Sequence, residues 1–176
     1  MTTMAALPAS GPGAREQFEA LYRSSAADVY AYVASLLRDR SAAEDVTSLA
    51  FERAFRRRAL FDVHRGSARS WLFAIARNAA LDELRRRRRS GALISDVADE
   101  SVEVEGLDEQ VAERRLLVRD GLASLEPRER EVILLKFLGR LSNAELARVL
   151  GCSESNAGTR LHRAVERLRE VCGVTR

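Results

Sequence analysis

Residues 90–110, SGALISDVADESVEVEGLDEQ, hold seven acidic side chains and neither Lys nor Arg, in a chain that carries 29 basic residues elsewhere. A segment so charged and so poor in large apolar groups cannot bury enough surface to join a core. It divides the 176 residues into two blocks, each of the size at which a small domain becomes stable. Both blocks are basic: residues 15–89 have 16 arginines against 10 acids, and residues 111–176 have 13 basic groups against 9 acids. Basic blocks suit a polyanion, because each phosphate they neutralise releases condensed counterions. The acidic stretch is repelled by that same polyanion and reads as a flexible linker.

Helical periodicity fills both blocks. Phe18, Leu21, Tyr22, Val29, Val33, Leu36 and Leu37 recur at spacings of three, four and seven, which marks a first helix with one buried face. Ser41 and Glu44 have the spacing of a capping box, and Val46, Leu49, Ala50, Ala54 and Phe55 follow as the inner face of a second helix that ends in Arg56-Arg57-Arg58. The pattern breaks around Arg65-Gly66-Ser67. A third helix runs through Trp71, Leu72, Ile75, Ala76 and Ala79 to Leu84 and ends in five arginines, Arg85 to Arg89. Patterning resumes at Val111, Leu116, Leu117 and Leu122, and Pro127 suits the first turn of another helix carrying Val132, Ile133, Leu135 and Phe137. No alternating strand pattern or hairpin signal is present, and 46% apolar with 31% charged residues is the balance of a soluble helical protein. The expected fold is all-α: a disordered tail over 1–14, a helical domain over 15–89, the acidic linker over 90–110 and a second helical domain over 111–176.

The segment LSNAELARVLGCSESNAGTRLHRAVERLR, from Leu141 to Arg169, has the most informative punctuation. Ser142 and Glu145 form a capping box, Leu146, Val149 and Leu150 give an apolar face, Gly151 suits a left-handed helix end, and Ser153 caps the next helix. A short helix, a three-residue turn opening on Gly and a longer helix are the layout that sets a recognition helix in the major groove of DNA. On that helix Ala157, Leu161, Ala164, Val165 and Leu168 face inward. Ser155, Asn156, Thr159, Arg160 and Arg163 face outward, with groups suited to base edges and phosphates. Gly158 interrupts it at a cost of about 1 kcal/mol relative to Ala.

Other chemistries have little support. Cys152 and Cys172 lack metal-knuckle spacing and read as packing residues, and His64 and His162 have no partner at ligand spacing, so neither a metal nor a cofactor is expected. No apolar run approaches the roughly 20 residues of a membrane span, and the N-terminus lacks the basic start and apolar stretch of a signal peptide, so a cytoplasmic protein is expected. From the residues alone, a stand-alone helix-turn-helix regulator and, more remotely, a magnesium-dependent nuclease using Glu44, Asp45 and Asp82 remain open.

Taken in order, the motifs resemble the extracytoplasmic-function group of bacterial sigma factors, from about Phe18 to Arg169. AEDVTSLAFERAFR at 43–56 resembles the family's core-binding helix, RSWLFAIARNAALDELRRRRR at 69–89 its promoter-melting helix, and LEPREREVILLKFLGRLSNAELARVLGCSESNAGTRLHRAVERL its domain 4. The resemblance implies two helical domains, sigma domains 2 and 4, acting in transcription initiation and not as an enzyme. It implies that Glu44, Asp45, Leu49, Phe51 and Phe55 sit on or under the surface that docks on the clamp helices of core RNA polymerase. It places Trp71, Arg77, Asn78, Asp82, Arg85 and Arg86 near the melted −10 element, and Ser155, Asn156, Thr159, Arg160 and Arg163 on the −35 element. Ala157 and Gly158 depart from the family's usual β-branched and basic or polar residues. The implied partners are core polymerase, promoter DNA and an anti-sigma factor, with a monomer on polymerase, and the acidic linker is expected to mimic nucleic acid in a basic polymerase channel.

Overall fold

In the computed structural model, residues 12–90 and 109–173 are described. Seven α-helices follow one another: α1 (Pro12–Leu37), α2 (Arg40–Arg57), α3 (Ala68–Ser90), α4 (Glu109–Ser124), α5 (Pro127–Phe137), α6 (Asn143–Leu150) and α7 (Glu154–Val171). Two 3-10 turns, Arg58–Leu60 and Val63–Arg65, lie between α2 and α3. No strand occurs among the described residues, and no helix among them is long and apolar enough to cross a membrane.

The first three helices pack around Leu21, Val29, Tyr32, Val33, Leu72 and Phe73, all essentially buried. Each such side chain contributes roughly 1.5–3 kcal/mol by leaving water. The same apolar cluster continues without a break into Val132, Leu134 and Leu135 of α5 and Leu146 and Ala147 of α6. The two helical blocks therefore lie against each other, with α3 on α6 and α1 on α5. A smaller cluster of Leu125, Ile133 and Ala164 ties α5 to α7. Arg130, almost buried, donates to the carbonyls of Leu122, Ala123 and Leu125 at 2.7–3.0 Å and so helps to satisfy the exposed acceptor end of α4.

Local chemistry differs from the sequence pattern at several places. The N-cap of α2 is Asp39, whose carboxylate accepts from the Ala42 N–H at 2.9 Å; the Ser41/Glu44 capping box does not form, and Glu44 instead pairs with Arg40 at 3.3 Å. Asp39 wins because its second oxygen also receives Arg87 of α3 at 2.9 Å, a tertiary gain that Ser41 lacks. The first helix starts at Pro12, inside the expected tail, whose residues 1–11 lie outside the described residues, as do linker residues 91–108. Leu116 and Leu117 of α4, expected to pack, are exposed. Leu49 and Phe55, grouped with the inner face of α2, are exposed and Phe51 is buried instead; Tyr22 of α1 and Phe137 of α5, also expected on buried faces, are exposed as well.

Candidate nucleic-acid interface

The C-terminal segment folds as its punctuation requires. Ser142 accepts from the Glu145 N–H while the Glu145 carboxylate accepts from the Ser142 N–H, closing the capping box of α6. Gly151 ends that helix in the left-handed region at φ 68°, where a side chain is strained. Ser153 caps α7 by accepting from the Asn156 N–H. Leu146 and Ala157, fully buried, lock the two helices together.

At roughly 100° per residue, Ser155, Asn156, Thr159, Arg160 and Arg163 form one stripe along α7, about 150° from the stripe of Ala157, Leu161, Ala164, Val165 and Leu168. The inward residues are buried or half-buried and the five outward ones are all exposed. Among the described residues Arg160 and Arg163 form no ion pair, so their five-donor guanidinium forks are free for a ligand. Thr159 donates its hydroxyl back to the Ser155 carbonyl at 3.0 Å, which fixes its rotamer and turns its methyl and remaining lone pair outward.

The residues expected on α3 divide differently. Trp71, Asn78, Asp82 and Arg85 share one stripe: Trp71 is half-buried against Phe61, at 5.5 Å between rings, and the other three are exposed. Arg77 lies about a third of a turn away from them. Its guanidinium meets Glu131 of α5 at 2.8 and 3.3 Å, in a pair whose side chains are only 21% and 11% exposed. Asp82 receives Arg85 at 3.1 Å. Arg86 grips Glu83 through two bonds of 2.7 Å, and Arg87 spans Glu83 and Asp39. The hydrogen bonds from Arg86, and then from Arg87, outweigh burial and hold the Glu83 carboxyl down at about 2. Of the five arginines, Arg87 thus faces back onto α2, while Arg85, Arg86, Arg88 and Arg89 remain at the surface.

On α2, Glu44 and Asp45 are exposed, Leu49 and Phe55 are 37% and 38% exposed, and Phe51 is 6% exposed. Phe51 and Phe55 belong to an edge-to-face aromatic cluster with Phe18 and Tyr22 of α1, at ring distances of 4.7–6.5 Å. Arg58 lies 4.2 Å over the Phe55 ring. Tyr22 is half-exposed beside this cluster, so the surface includes α1, which the α2 motif by itself does not indicate. Among the described residues no group of His, Cys, Asp or Glu has the arrangement of a metal site, and Glu44, Asp45 and Asp82 do not converge into one. Cys152 packs against the core and Cys172 lies by the Leu117 carbonyl; both are free thiols.

Three sets of contacts between the blocks were not indicated by any local motif. Glu131 also accepts from the buried Tyr32 hydroxyl at 3.3 Å. Burial, then the neighbouring Glu131 carboxylate, pushes the Tyr32 phenol well above its usual range. Arg69 donates to Asp28, Ser25 and the Ser24 carbonyl of α1 and to the Leu138 and Gly139 carbonyls after α5. Ser67, which accepts from the Ser70 N–H at the start of α3, gives its own N–H and hydroxyl to Glu145 at 3.0 and 2.5 Å. Burial raises the Glu145 carboxyl, but the bonds from Ser67 and Ser142 prevail and hold it at about 2. One sequence signal does exist: Glu131 shares a helical face with Leu134, Leu135 and Leu138, and Arg69 with Phe73, Ala76 and Ala80, so each charge occupies an apolar register and needs a buried partner.

Comparison with known proteins agrees with this layout. Residues 21–90 match the family described as Sigma-70 region 2, and residues 115–168 match Sigma-70, region 4. The chain is 36% identical over 173 residues to the ECF RNA polymerase sigma factor SigL of Mycobacterium tuberculosis, covering 95% of this chain and 98% of that protein. It is 32% identical to the RNA polymerase sigma factor CarQ of Myxococcus xanthus, over 92% of each. Among solved structures, the sigma factor RpoE in complex with the anti-sigma factor NepR from Bartonella quintana is similar at a TM-score of 0.74 and 26% identity, covering 92% of this chain and 99% of that one.

Proposed function

The chain belongs to the extracytoplasmic-function RNA polymerase sigma factors, and from that premise we propose how its surfaces divide the work of initiation. It directs core RNA polymerase to promoters. The α6–α7 helix-turn-helix docks on −35 duplex, with Arg160 and Arg163 reaching guanine edges or phosphates and Ser155, Asn156 and Thr159 supplying shorter polar contacts. The α3 stripe of Trp71, Asn78, Asp82 and Arg85, with Arg77 and Arg86 on its flanks, holds the −10 single strand. Base extrusion from a duplex costs a few kcal/mol, and capture of the extruded strand by polar groups and arginines offsets it without nucleotide hydrolysis. The α2 face of Glu44, Asp45, Leu49 and Phe55, with Phe51 beneath, docks on the polymerase clamp helices. Aromatic side chains rimmed by charge suit such an interface.

The observation that carries this reading is the open polar stripe from Ser155 to Arg163 on the second helix of a helix-turn-helix, in one chain with the α3 stripe. The chain contributes binding energy and no covalent step. An anti-sigma partner belongs to the same reading, by analogy with the RpoE relative, which was solved in complex with an anti-sigma factor. The first domain of this reading comprises α1 to α3 and the second α4 to α7, close to the expected 15–89 and 111–176. In vitro transcription with purified core polymerase on a promoter library tests the reading: transcripts that depend on this protein are expected, and neither complex nor transcript would sink it.

A further inference from the structure

Beyond Leu84 the third helix has nothing apolar left to hold it. Leu84 packs against the core, and the residues that complete α3 are Arg85 to Arg89 and Ser90. Like charges in succession repel one another, and the last turn of a helix lacks onward backbone bonds, so such an end frays unless a tertiary contact holds it. Arg87 makes that contact. Its Nε donates to Glu83 one turn back at 2.8 Å, and its Nη2 donates to Asp39 at 2.9 Å. The Arg87 side chain is 14% exposed, against 68% and 67% for Arg85 and Arg86, so water screens it less than its neighbours. Asp39 is the N-cap of α2, where its other oxygen accepts from the Ala42 N–H at 2.9 Å. One carboxylate thus starts the helix proposed to dock on polymerase and holds the end of the helix proposed to hold the strand. A second ion pair between the two helices, Arg53 with Asp82, is longer, at 3.9 Å, and more exposed.

We propose that Arg87 is a positioning residue for promoter opening: by tying the arginine-rich end of α3 to the N-cap of α2, it fixes Arg85 and Arg86 relative to the polymerase-docking face and does not itself touch a phosphate. The inference rests on the assignment of α2 to polymerase and of the α3 stripe to the −10 strand. Arg87 projects roughly 160° from Arg85 around the helix, toward α2, so its fork is spent on Glu83 and Asp39 while Arg85 is aimed outward. The arginine run therefore divides by register into groups that face solvent and one strut that sets their direction. Orientation of this kind matters because a group displaced by about 1 Å can slow a step that depends on it by up to 10²-fold.

The test uses holoenzyme assembled from core polymerase and the full chain, on a promoter recovered from the library, with four variants: Asp39→Asn, Arg87→Ala, the two combined, and Arg85→Ala. Permanganate reactivity of −10 thymines reads the opening rate of promoter-bound holoenzyme. The dependence of promoter binding on salt counts phosphate contacts, and urea midpoints report stability. Asp39→Asn keeps an acceptor for the Ala42 N–H and removes only the charge that Arg87 meets. Asp39→Asn and Arg87→Ala are each expected to slow opening about tenfold with an unchanged salt slope, and the combined variant is expected to be no slower than the slower single one, because both break one contact. Arg85→Ala is expected to lower the magnitude of the salt slope by about one. The positioning role is overturned if Arg87→Ala also lowers the slope by about one, which marks a phosphate contact, or if the two single losses multiply in the combined variant. It is equally overturned if the urea midpoints fall while the opening rate stays that of the parent, which marks a role in stability alone. If Arg85→Ala changes neither opening nor slope, the −10 reading of α3 fails and the positioning role falls with it; if Arg85→Ala behaves as expected and Asp39→Asn opens like the parent, only the positioning role fails.

Discussion

The helix-turn-helix and the α3 surface are both basic helical faces, yet one is presented and the other is engaged. On α7 the outward residues are exposed, and Arg160 and Arg163 lack ion pairs among the described residues. On α3, Arg77, Arg85, Arg86 and Arg87 all contact carboxylates, one of which comes from the other half of the chain. A duplex-binding face needs only rigid presentation, since B-DNA offers its edges without distortion. On α3 the internal carboxylates offset part of the positive charge that would otherwise attract a polyanion. The difference is thus between a basic face whose arginines are unpaired and one whose arginines are largely paired within the chain.

The largest expected effect separates the two faces directly. Arg160→Ala removes a donor from a face already open, so its cost to −35 duplex binding, about 1–3 kcal/mol, is expected to be the same for the free protein and for polymerase holoenzyme. Arg77→Ala is expected to weaken open-complex formation by the holoenzyme while leaving −35 duplex binding by the free chain unchanged. Electrophoretic and permanganate footprinting assays measure both. An Arg160→Ala loss seen only with polymerase would show that the α7 face is also masked, and the contrast would collapse.

A smaller effect concerns pH. Glu145 and Glu83 titrate at about 2 in the folded protein against an ordinary value of 4.5. A depressed carboxyl stabilises the fold fully above its unfolded value and loses that contribution as pH falls through its folded value. Stability is therefore expected to be flat in these two groups above about pH 5 and to decline between roughly 4.5 and 2. Glu145→Gln sharpens the comparison, because Glu145 joins the blocks through Ser67 whereas Glu83 accepts from Arg86 and Arg87 of its own helix. In acid titrations followed by circular dichroism the variant should show a shallower decline, and in scattering the parent should expand over this window more than the variant does. An identical acid profile would mean that the Ser67 contact adds nothing to the packing of the blocks.

What the sequence disclosed follows the range of the forces involved. The helix-turn-helix was legible because Ser142, Glu145, Gly151 and Ser153 act on backbone groups within four residues of themselves. The all-helical fold and the presence of three helices in the first block followed from periodicity in the same way. The start of α2 was misjudged between Asp39 and Ser41, two competent caps whose choice is decided by Arg87, 48 residues away. The packing of the blocks was not legible, because the Arg77–Glu131 pair joins residues 54 apart across a linker. The register of Glu131 and Arg69 signals that each charge needs a buried partner without naming it. Sequence pattern alone also cannot tell how far the apolar residues of α4 are covered, and Leu116 and Leu117 stay about half exposed.

Gly158 sets the smallest effect and the closest test of the preformed face. A Cβ at this position meets nothing within 4 Å, and the residue lies inside α7 with no positive φ. No contact within the protein therefore explains the glycine, and Gly158→Ala is expected to stabilise the helix by up to about 1 kcal/mol, read as a higher urea midpoint with unchanged slope. The position falls roughly 60° beyond Ser155 on the helix circumference, at the edge of the polar stripe. If the stripe alone docks on DNA, the added methyl leaves −35 duplex affinity within the ~0.5 kcal/mol typical of neutral surface changes. A loss of about tenfold or more would mean that DNA approaches the α7 backbone itself. In that case the glycine is part of the recognition surface, and the edge of the stripe extends one residue further around the helix than its side chains show.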